Sequence, residues 1–338
     1  MSVNVGVVGL GTYIPERRMT AAEISAATDG QWSEDAVINK LGIIEKPIPG
    51  DDDGTQEMGA RAALKALHDA DMDAKEIDVI LCMGDEWKEY PLTTSALYIQ
   101  DKIGATNAWG IDLQNRCCTT VSAVKIAKDM LVADDDINTI MIVGGYRNGD
   151  FVDYTDSKVS MFFNLSAGGG AMILKKNVDK NLVLGSYIKS DGSFAWDAGV
   201  EIGGLKHPFT SENVAEGYKS LRLMNAEHMK HRLNEVSMAN WYECIDKALE
   251  RSGLGRDDID YLAVLHFKKS MHEVMLADLS LASDQSIYLS EYGHMGQVDQ
   301  ILSLQLALES GKVKPGSIVL LVAAGIGYVW SASVIRWG

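Results

Sequence analysis

The sequence predicts an α/β fold made of two similar halves, on the evidence of an internal repeat and of the character of its strands. A stretch beginning at Lys65 recurs from Lys247, an offset of 182 residues without a gap, so that Lys-Ala-Leu and a later Ile-Asp both occur twice. Each copy reads as an amphipathic helix, a polar turn and an apolar strand. The strands are continuous apolar runs, which is typical of strands covered by helices on both faces. We therefore expect an N-terminal half over residues 1–178 and a C-terminal half over residues 179–338.

The elements of the two halves follow the same order along the chain. In the first half, an apolar strand over residues 79–83 precedes a helical pattern over 123–131 and a strand over 139–143. The corresponding segments of the second half are 261–265, 302–309 and 318–322. The segment from about residue 190 to 240 has no counterpart in the first half. We interpret it either as an insertion that shapes a substrate tunnel or lid, or as a surface excursion with dimer contacts.

The composition disfavours several classes of function. Of 338 residues, 46% are hydrophobic, which is ample for a large core, and 32 glycines against 6 prolines favour compact structure with tight turns. The formal net charge of −16 disfavours nucleic acid and anionic membrane surfaces as partners. The N-terminus lacks the basic and apolar regions of a secretion signal, and no apolar run reaches ~18 residues. We therefore expect a cytoplasmic protein.

Cys117 is the candidate nucleophile. The four cysteines, Cys82, Cys117, Cys118 and Cys244, have the spacing of neither a disulfide framework nor a zinc site, so we expect no metal. A strong helical pattern over residues 119–127 places Cys117 at a helix start, where unpaired backbone N–H groups and the helix dipole favour the thiolate. The alternative is that Cys117 and Cys118 are small buried apolar residues.

Segments along nearly the whole chain are similar to one known family. Residues 112–117, Asp-Leu-Gln-Asn-Arg-Cys, resemble the nucleophile segment of β-ketoacyl synthase III, in which an Asp precedes the active Cys by five positions. The glycine-rich stretch 166–174, the run 311–316 and the ending 323–330 resemble further segments of that branch of the thiolase superfamily. The resemblance implies the thiolase fold, with five layers in the order α-β-α-β-α, and an acyl group carried by Cys117 as a thioester.

The resemblance also implies two histidines in the site. The family histidine that faces the Cys corresponds to His266, directly after the strand 261–265, and the family Asn corresponds to His294. A neutral imidazole can donate to a thioester oxygen or an enolate much as an amide does. The two imidazoles are therefore expected to stabilise the enolate of a condensation.

The backbone around Ile326 is the remaining part of the implied site. Its N–H and that of Cys117 would form the oxyanion hole, and Gly325 and Gly327 would let the chain approach the substrate closely. Trp32 lies in the region where the family often stacks the adenine of CoA. A Trp in the core is equally consistent with its position.

Two departures from the family pattern bear on the chemistry. Asp85 and Glu86 stand where most synthase III members have Thr-Ser, and hydroxymethylglutaryl-CoA synthases have a catalytic Glu at the position of Asp85. A carboxylate there is either a base for a non-decarboxylative reaction or a solvated loop charge. Met271 replaces the Arg that helps to hold the phosphopantetheine donor, and Lys268 or Lys269 is the candidate substitute.

These features predict an acyltransferase with CoA thioesters as substrates and no tightly bound cofactor. Cys117 would take an acyl group from acyl-CoA, and the acyl-enzyme would condense with a second thioester after decarboxylation, as a specialised rather than a housekeeping relative. The alternatives are a thiolase-like or hydroxymethylglutaryl-CoA-synthase-like reaction with Asp85 or Glu86 as base, or exchange of the acyl group between CoA molecules. A catalytically silent heterodimer partner is an alternative of another class. We expect a homodimer, with acyl carrier protein as a further candidate partner.

Overall fold

The computed structural model describes residues 3–84 and 87–338. Its strands are β1 (Val5–Tyr13), β2 (Arg18–Thr20), β3 (Glu45–Pro47), β4 (Val79–Met83), β5 (Trp109–Leu113), β6 (Thr139–Tyr146), β7 (Gly168–Lys176), β8 (Leu182–Ser190), β9 (Ala198–Val200), β10 (Leu221–Leu223), β11 (Tyr261–Val264), β12 (Ile318–Gly325) and β13 (Val329–Arg336). Its helices are α1 (Ala21–Ala27), α2 (Glu34–Ala36, continued by the π-helical turn Val37–Leu41), α3 (Thr55–Asp69), α4 (Ser95–Ile103), α5 (Thr119–Ala133), α6 (Ala226–Arg251), α7 (Lys269–Asp278) and α8 (Asp299–Glu309). Among these described helices, none has the length and apolar character needed to cross a membrane.

One nine-stranded mixed sheet contains the same pairing pattern twice. Its strand order in the described residues is β11-β12-β13-β8-β1-β7-β6-β4-β5. β4 pairs with β6 in parallel, as β11 does with β12. The pairs β6–β7 and β7–β1 are antiparallel, as are β12–β13 and β13–β8. The two patterns meet where β1 pairs with β8, at Gly6 and Leu182. The repeat in the sequence thus corresponds to a repeat of strand pairing.

Two helices lie between the two sets of strands. α5 contacts β4, β6 and β7 as well as β8, β12 and β13, and α8 contacts β1 and β7 as well as β11 and β12. α3 and α4 cover the outer face of the first set, and α6 covers β8 and β13. The layers therefore follow the order α-β-α-β-α, and the predicted five-layered α/β fold is confirmed.

Strand burial follows from this layering. Every residue of β4, β6 and β11 is buried, as expected for strands with helices on both faces. β5 differs because it is the last strand of the described sheet. Its Trp109 and Ile111 side chains are 50% and 43% exposed.

The segment predicted as an insertion at about 190–240 has different limits in the structure. The excursion between β8 and α6 covers residues 191–225 and contains the β9–β10 ribbon, whereas residues 226–240 already belong to α6. The first half has an excursion at the corresponding point, residues 14–54, which contains the β2–β3 ribbon. The two excursions share their place in the fold but no sequence pattern, so the repeat alone could not reveal the first one. The division of the chain at residue 178 stays a prediction.

Candidate active site

Cys117 lies at the start of a buried helix. It is the middle residue of the 3₁₀ turn Arg116–Cys118, which leads directly into α5. The Thr119 hydroxyl closes this turn, because it donates to the Arg116 carbonyl at 2.6 Å and accepts the Asn115 N–H at 2.9 Å. Cys117 is partly exposed, whereas the other cysteines are buried. The accessible sulfur therefore lies at a helix start, the positive end of the helix dipole.

His294 contacts this sulfur. Its Nε2 lies 3.1 Å from Cys117 Sγ, and its Nδ1 lies 2.6 Å from Asp299 Oδ2. Asp299 is fully buried at the start of α8, and its carboxylate also accepts the backbone N–H groups of Met295 and His266, at 2.7 Å and 2.8 Å. An ionised carboxylate only accepts hydrogen bonds, so Nδ1 of His294 carries a proton and Nε2 is the nitrogen directed at the sulfur.

The charges of these three side chains reinforce one another. Burial lowers the pKa of His294, but the adjacent Cys117 and the hydrogen-bonded carboxylate of Asp299 raise it, and the resulting pKa lies well above its ordinary value. The imidazolium is thus the favoured form, and it stabilises a thiolate beside it. A nucleophile, a base within hydrogen-bond reach and a carboxylate that orients the base form a triad suited to nucleophilic acyl transfer.

Asp299 has no distinguishing signal in the sequence. It follows His294 by five residues, and its place as the first residue of α8 becomes evident only once the helix boundary is known. The fold brings it to the nucleophile, because the N-terminal ends of α5 and α8 meet. The turn Gly296–Val298 ahead of α8 contacts the turn that bears Cys117. Each half of the protein therefore supplies one part of the triad.

His266 lies beside the triad, but its ring nitrogens have other partners than the sulfur. Its Nε2 lies 3.2 Å from the Gly42 carbonyl oxygen, and its Nδ1 lies 3.1 Å from Nδ2 of Asn164. Because the carbonyl accepts and the amide donates, the ring is the Nε2–H tautomer. Burial lowers its pKa to about 4, so the ring is neutral at physiological pH. The contact of His294 with Cys117 is shown by the distance above, whereas the expectation that His266 also faces Cys117 stays a prediction.

Asn164 joins the two histidines. It lies in the loop before β7, where its carbonyl accepts the His294 N–H at 2.7 Å and its amide donates to Nδ1 of His266. The Ser166 N–H donates to the His294 carbonyl at 3.0 Å and so strengthens the link. A lone Asn ahead of a glycine-rich strand has no recognisable pattern, so no sequence signal could have identified this residue.

Gly325 brings the end of β12 onto the nucleophile turn. A Cβ atom at this position would lie 3.0 Å from the backbone N of Cys117 and 2.9 Å from the Cβ of Arg116. Such a close approach requires glycine. Ile326 and Gly327 follow directly, and Gly327 has a φ of +134°, which also favours glycine. The roles of the Cys117 and Ile326 N–H groups as an oxyanion hole stay a prediction.

Other residues predicted to bind substrate lie around the site. Trp32 is half-buried and packs edge-on against Phe163, with ring centroids 6.2 Å apart. Lys268 and Lys269 are exposed at the start of α7. Their roles in binding CoA stay predictions.

Asp112, the acidic residue of the segment that resembles the family's nucleophile segment, contacts the backbone at the start of α4. Asp112 is structural, because its carboxylate accepts the N–H groups of Ser95 and Ala96, at 2.9 Å and 2.8 Å, and so caps the start of α4. Asp85 and Glu86 lie outside the described residues. Within residues 3–84 and 87–338, no three His, Cys, Asp or Glu side chains are grouped so that they could hold a metal ion.

Comparisons with known proteins identify the family to which the chain belongs. Residues 111–192 match the family 3-oxoacyl-[acyl-carrier-protein] synthase III, and residues 249–337 match the C-terminal part of that synthase, so the two matches cover about half of the chain. The β-ketoacyl-[acyl-carrier-protein] synthase III of Syntrophomonas wolfei is 27% identical over 337 residues, which cover 99% of this chain and 98% of the relative. The synthase III of Geobacillus kaustophilus is 27% identical over 338 residues, which cover 99% of this chain and 100% of the relative.

Solved structures share the fold. The 3-oxoacyl-[acyl-carrier-protein] synthase III of Aquifex aeolicus has a TM-score of 0.82 at 20% identity, over 98% of this chain and 100% of that one. OleA of Xanthomonas campestris has a TM-score of 0.82 at 17% identity, over 99% of this chain and 98% of that one. The predicted thiolase fold is therefore confirmed. The family matches, the relatives covered along their whole length and the shared fold all lead to the same conclusion. The chain belongs to the β-ketoacyl synthase III-like branch of the thiolase superfamily.

Proposed function

We propose that the protein is an acyltransferase that takes an acyl group from acyl-CoA onto Cys117 and condenses it with a second thioester, without a tightly bound cofactor. The proposal depends on the 3.1 Å contact between His294 Nε2 and Cys117 Sγ, with Asp299 behind the imidazole. The relatives are named β-ketoacyl-[acyl-carrier-protein] synthases, which supports condensation as the overall reaction. The second thioester is carried by CoA or by an acyl carrier protein.

Acylation of Cys117 uses the triad as it stands. The thiolate attacks the thioester carbon, and the N–H groups of Cys117 and Ile326 would hold the negative charge that develops on the oxygen. When the tetrahedral intermediate collapses, the bond from carbon to the CoA sulfur breaks. The His294 imidazolium then gives the proton on Nε2 to the leaving thiolate. Asp299 stays ionised and keeps the imidazole in the tautomer that this transfer requires.

Condensation requires His294 or His266 to donate a hydrogen bond to an enolate oxygen. Decarboxylation of the second thioester releases CO₂ and leaves an enolate, whose oxygen needs hydrogen-bond donors. His294 can donate from Nε2 only after it has regained a proton there, and His266 only after its Nε2–H leaves the Gly42 carbonyl. The enolate carbon then attacks the acyl carbon, the bond to the Cys117 sulfur breaks, and the thiolate is restored.

A second reaction is favoured by the His294–Asp299 pair itself. After acylation, Nε2 of the neutral His294 is an acceptor, so it can take the proton of an incoming thiol, as in exchange of the acyl group between CoA molecules. His266 keeps its bond to Gly42 in this reaction. A non-decarboxylative condensation would instead need a carboxylate base, for which Asp85 and Glu86 remain the candidates from the sequence.

The test follows the acyl group in two steps. The protein is incubated with a series of acyl-CoA thioesters, and mass spectrometry of the digest searches for one acyl group on the Cys117 peptide, with Cys117→Ala as the control. The acyl-enzyme is then offered malonyl-CoA, acetyl-CoA or isotopically labelled free CoA. A β-keto thioester from malonyl-CoA supports decarboxylative condensation, and one from acetyl-CoA supports the non-decarboxylative reaction.

The remaining outcomes separate the other possibilities. Label that enters acyl-CoA without a β-keto product supports acyl exchange. A Cys117 peptide that gains no acyl group from any thioester would contradict all three reactions and leave the silent heterodimer partner.

We also propose that two copies of the chain pair through β5. β5 ends the described sheet, and its Trp109 and Ile111 side chains are 50% and 43% exposed. The adjacent α4 exposes Leu97 to 49%. Exposed apolar side chains along the last strand of a sheet are typical of a surface that pairs with another chain.

A further inference from the structure

Lys46 is a buried cation beneath the loop that joins the two histidines. It lies in β3, and its side chain is fully buried. Its Nζ donates to the carbonyl oxygens of Phe163 and Leu165, both at 2.6 Å, and to the Tyr154 hydroxyl at 2.7 Å. An ammonium has three N–H groups, so these three bonds use all of its donors. None of the three partners is a carboxylate.

The two carbonyls flank Asn164, the residue that holds both histidines. The carbonyl of Asn164 accepts the His294 N–H at 2.7 Å, and its amide bonds to Nδ1 of His266 at 3.1 Å. Close packing adds to these bonds, because a Cβ atom on Gly293 would lie 3.1 Å from Cβ of Lys46 and 2.6 Å from the Asn164 carbonyl oxygen. Lys46, the loop and the turn that bears His294 are therefore in direct contact.

The hydrogen bonds of the Lys46 ammonium have a role that an apolar side chain of the same size could not fill. Burial without a carboxylate is unfavourable for a cation, and it lowers the pKa of Lys46 to about 7. A Met side chain of similar length would avoid this cost, but it would leave the carbonyls of Phe163 and Leu165 buried without a donor. The particular contribution of the ammonium is thus the orientation of the backbone over residues 163–165.

We propose that Lys46 is a positioning residue of the acyl-transfer site, whose ammonium fixes the backbone on both sides of Asn164 and thereby fixes His294 against Cys117. This inference rests on the proposed function, since the position of His294 matters for catalysis only if it acts on the Cys117 sulfur. Lys46 touches no reacting atom and acts through Asn164.

Lys46→Met tests the inference through the reactivity of Cys117. The rate of Cys117 alkylation by iodoacetamide is measured between about pH 5 and pH 9, together with kcat and KM for acyl transfer. We expect alkylation at neutral pH to fall about tenfold or more, with the pH midpoint moved upward. We expect kcat to fall by a similar factor while KM for acyl-CoA is unchanged. Lys46→Arg keeps a cationic donor and should restore part of the rate.

Lys128→Met is the matched control. The Lys128 ammonium is partly buried in α5 and donates to the Leu184 carbonyl at 2.6 Å, so it also pairs with a backbone oxygen rather than a carboxylate. Its removal should leave the alkylation profile of Cys117 unchanged.

Tyr154→Phe tests the same contact with a smaller change in packing. Loss of the hydroxyl leaves one N–H of the buried ammonium without an acceptor, so Lys46 loses its proton more readily. The other titratable groups facing this cluster, Asp150 beside Tyr154 and the histidines beyond Asn164, are unchanged. We expect alkylation relative to the wild-type protein to fall at neutral pH and to recover at lower pH.

Two results would overturn the inference. A folded Lys46→Met protein with the wild-type alkylation profile and only a lower Tm would show that the lysine is structural. If Lys46→Met does not fold, a Tyr154→Phe protein with the wild-type profile at every pH would show the same. Failure of the proposed function is distinguishable, because the wild-type protein would then take no acyl group on Cys117, whereas the effect of Lys46 is measured by alkylation.

Discussion

Two hydrogen bonds to ring nitrogens give the site histidines different chemistry. Asp299 holds Nδ1 of His294, which favours the imidazolium beside Cys117. The Gly42 carbonyl accepts from Nε2 of His266, and burial keeps that ring neutral with a pKa of about 4. Titratable groups whose surroundings move their pKa values apart are suited to different roles. The two residues that orient the rings can therefore be tested separately.

Asp299→Asn is expected to raise the pH at which Cys117 becomes a thiolate. The amide removes the charge that favours the His294 imidazolium, so the pH midpoint of Cys117 alkylation should move upward, and alkylation at neutral pH should fall by about tenfold or more. Iodoacetamide alkylation measured against pH reports this midpoint. Asp69→Asn is the matched control, because the Asp69 carboxylate accepts the Leu10 N–H at the end of α3. An unchanged midpoint in Asp299→Asn would contradict the role given to the carboxylate.

Gly42→Ala is expected to disturb His266 and spare His294. Gly42 has a φ of +77°, and a Cβ atom would lie 1.9 Å from the Tyr288 hydroxyl, so either the Tyr288 ring or the Gly42 carbonyl has to move. Both contact His266, because the carbonyl accepts from its Nε2 and the Tyr288 ring lies 5.0 Å from its ring. We expect condensation to slow by about fivefold or more, with Cys117 acylation changed by less than about twofold, in single-turnover assays of each step.

The control for this variant is Gly104→Ala. Gly104 has a φ of +76° but no atom within 4 Å of the added Cβ, so it reports the cost of the left-handed backbone alone. Equal losses in acylation and condensation on Gly42→Ala would mean that the shift reaches the triad, and would refute the separation of the two histidines.

At the level of elements, the site depends on two helices and one loop that belong to different parts of the chain. α5 directs its N-terminal end at Cys117, and α8 begins with Asp299. The loop before β7 lies against both histidines through Asn164. Substitutions far from the sulfur in sequence can therefore change its reactivity.

The exposed apolar side chains of β5 predict that a charge placed on this strand will disrupt a dimer. Ile111→Lys should shift the sedimentation coefficient from dimer to monomer, because a charged side chain on the last strand of a sheet opposes pairing with another chain. Ile126→Lys is the control, since Ile126 is 39% exposed on α5. A wild-type protein that sediments as a monomer, or an Ile111→Lys protein that remains a dimer, would refute pairing through β5.

The sequence predicted the elements whose pattern is local, and it failed where geometry depends on distant contacts. The start of α5 and the buried strands follow from runs of a few residues. The orientation of His266 depends on a carbonyl 224 residues away, and the support of the site loop by Lys46 depends on contacts 117 residues apart. Such partners carry no local signal, so the Gly42 carbonyl, Asn164 and Asp299 were not recognised as parts of the site.

For the molecule as a whole, two buried neutral histidines predict loss of stability in mild acid. Burial lowers the pKa of both His266 and His272 from 6.5 to about 4. Between these values the unfolded chain binds more protons than the folded one, so the free energy of unfolding falls as the pH falls from about 6.5 towards 4. His294 does not contribute to this loss, because its raised pKa adds stability that is present below pH 6.5 and lost only as the pH rises.

Urea unfolding at pH 7 and pH 5 measures this effect. Each histidine should lower the free energy of unfolding by about 2 kcal/mol at pH 5 relative to pH 7. His272→Gln should remove about half of the pH dependence, since His272 is one of the two neutral rings and its Nε2 is hydrogen-bonded to the Ser286 hydroxyl rather than to a charged group. Equal stability at the two pH values in the wild-type protein would contradict the neutral burial of these rings.

The most direct test of the account compares His294→Ala with His266→Ala in the first half-reaction. The rate at which Cys117 is acylated by acyl-CoA is measured in a single turnover by mass spectrometry, with the Tm of each variant recorded alongside. We expect a loss of about 100-fold or more for His294→Ala, because the imidazolium that stabilises the thiolate and protonates the leaving CoA is removed, and a change of less than about fivefold for His266→Ala. Rapid acylation in His294→Ala together with its loss in a folded His266→Ala protein would contradict the triad of Cys117, His294 and Asp299.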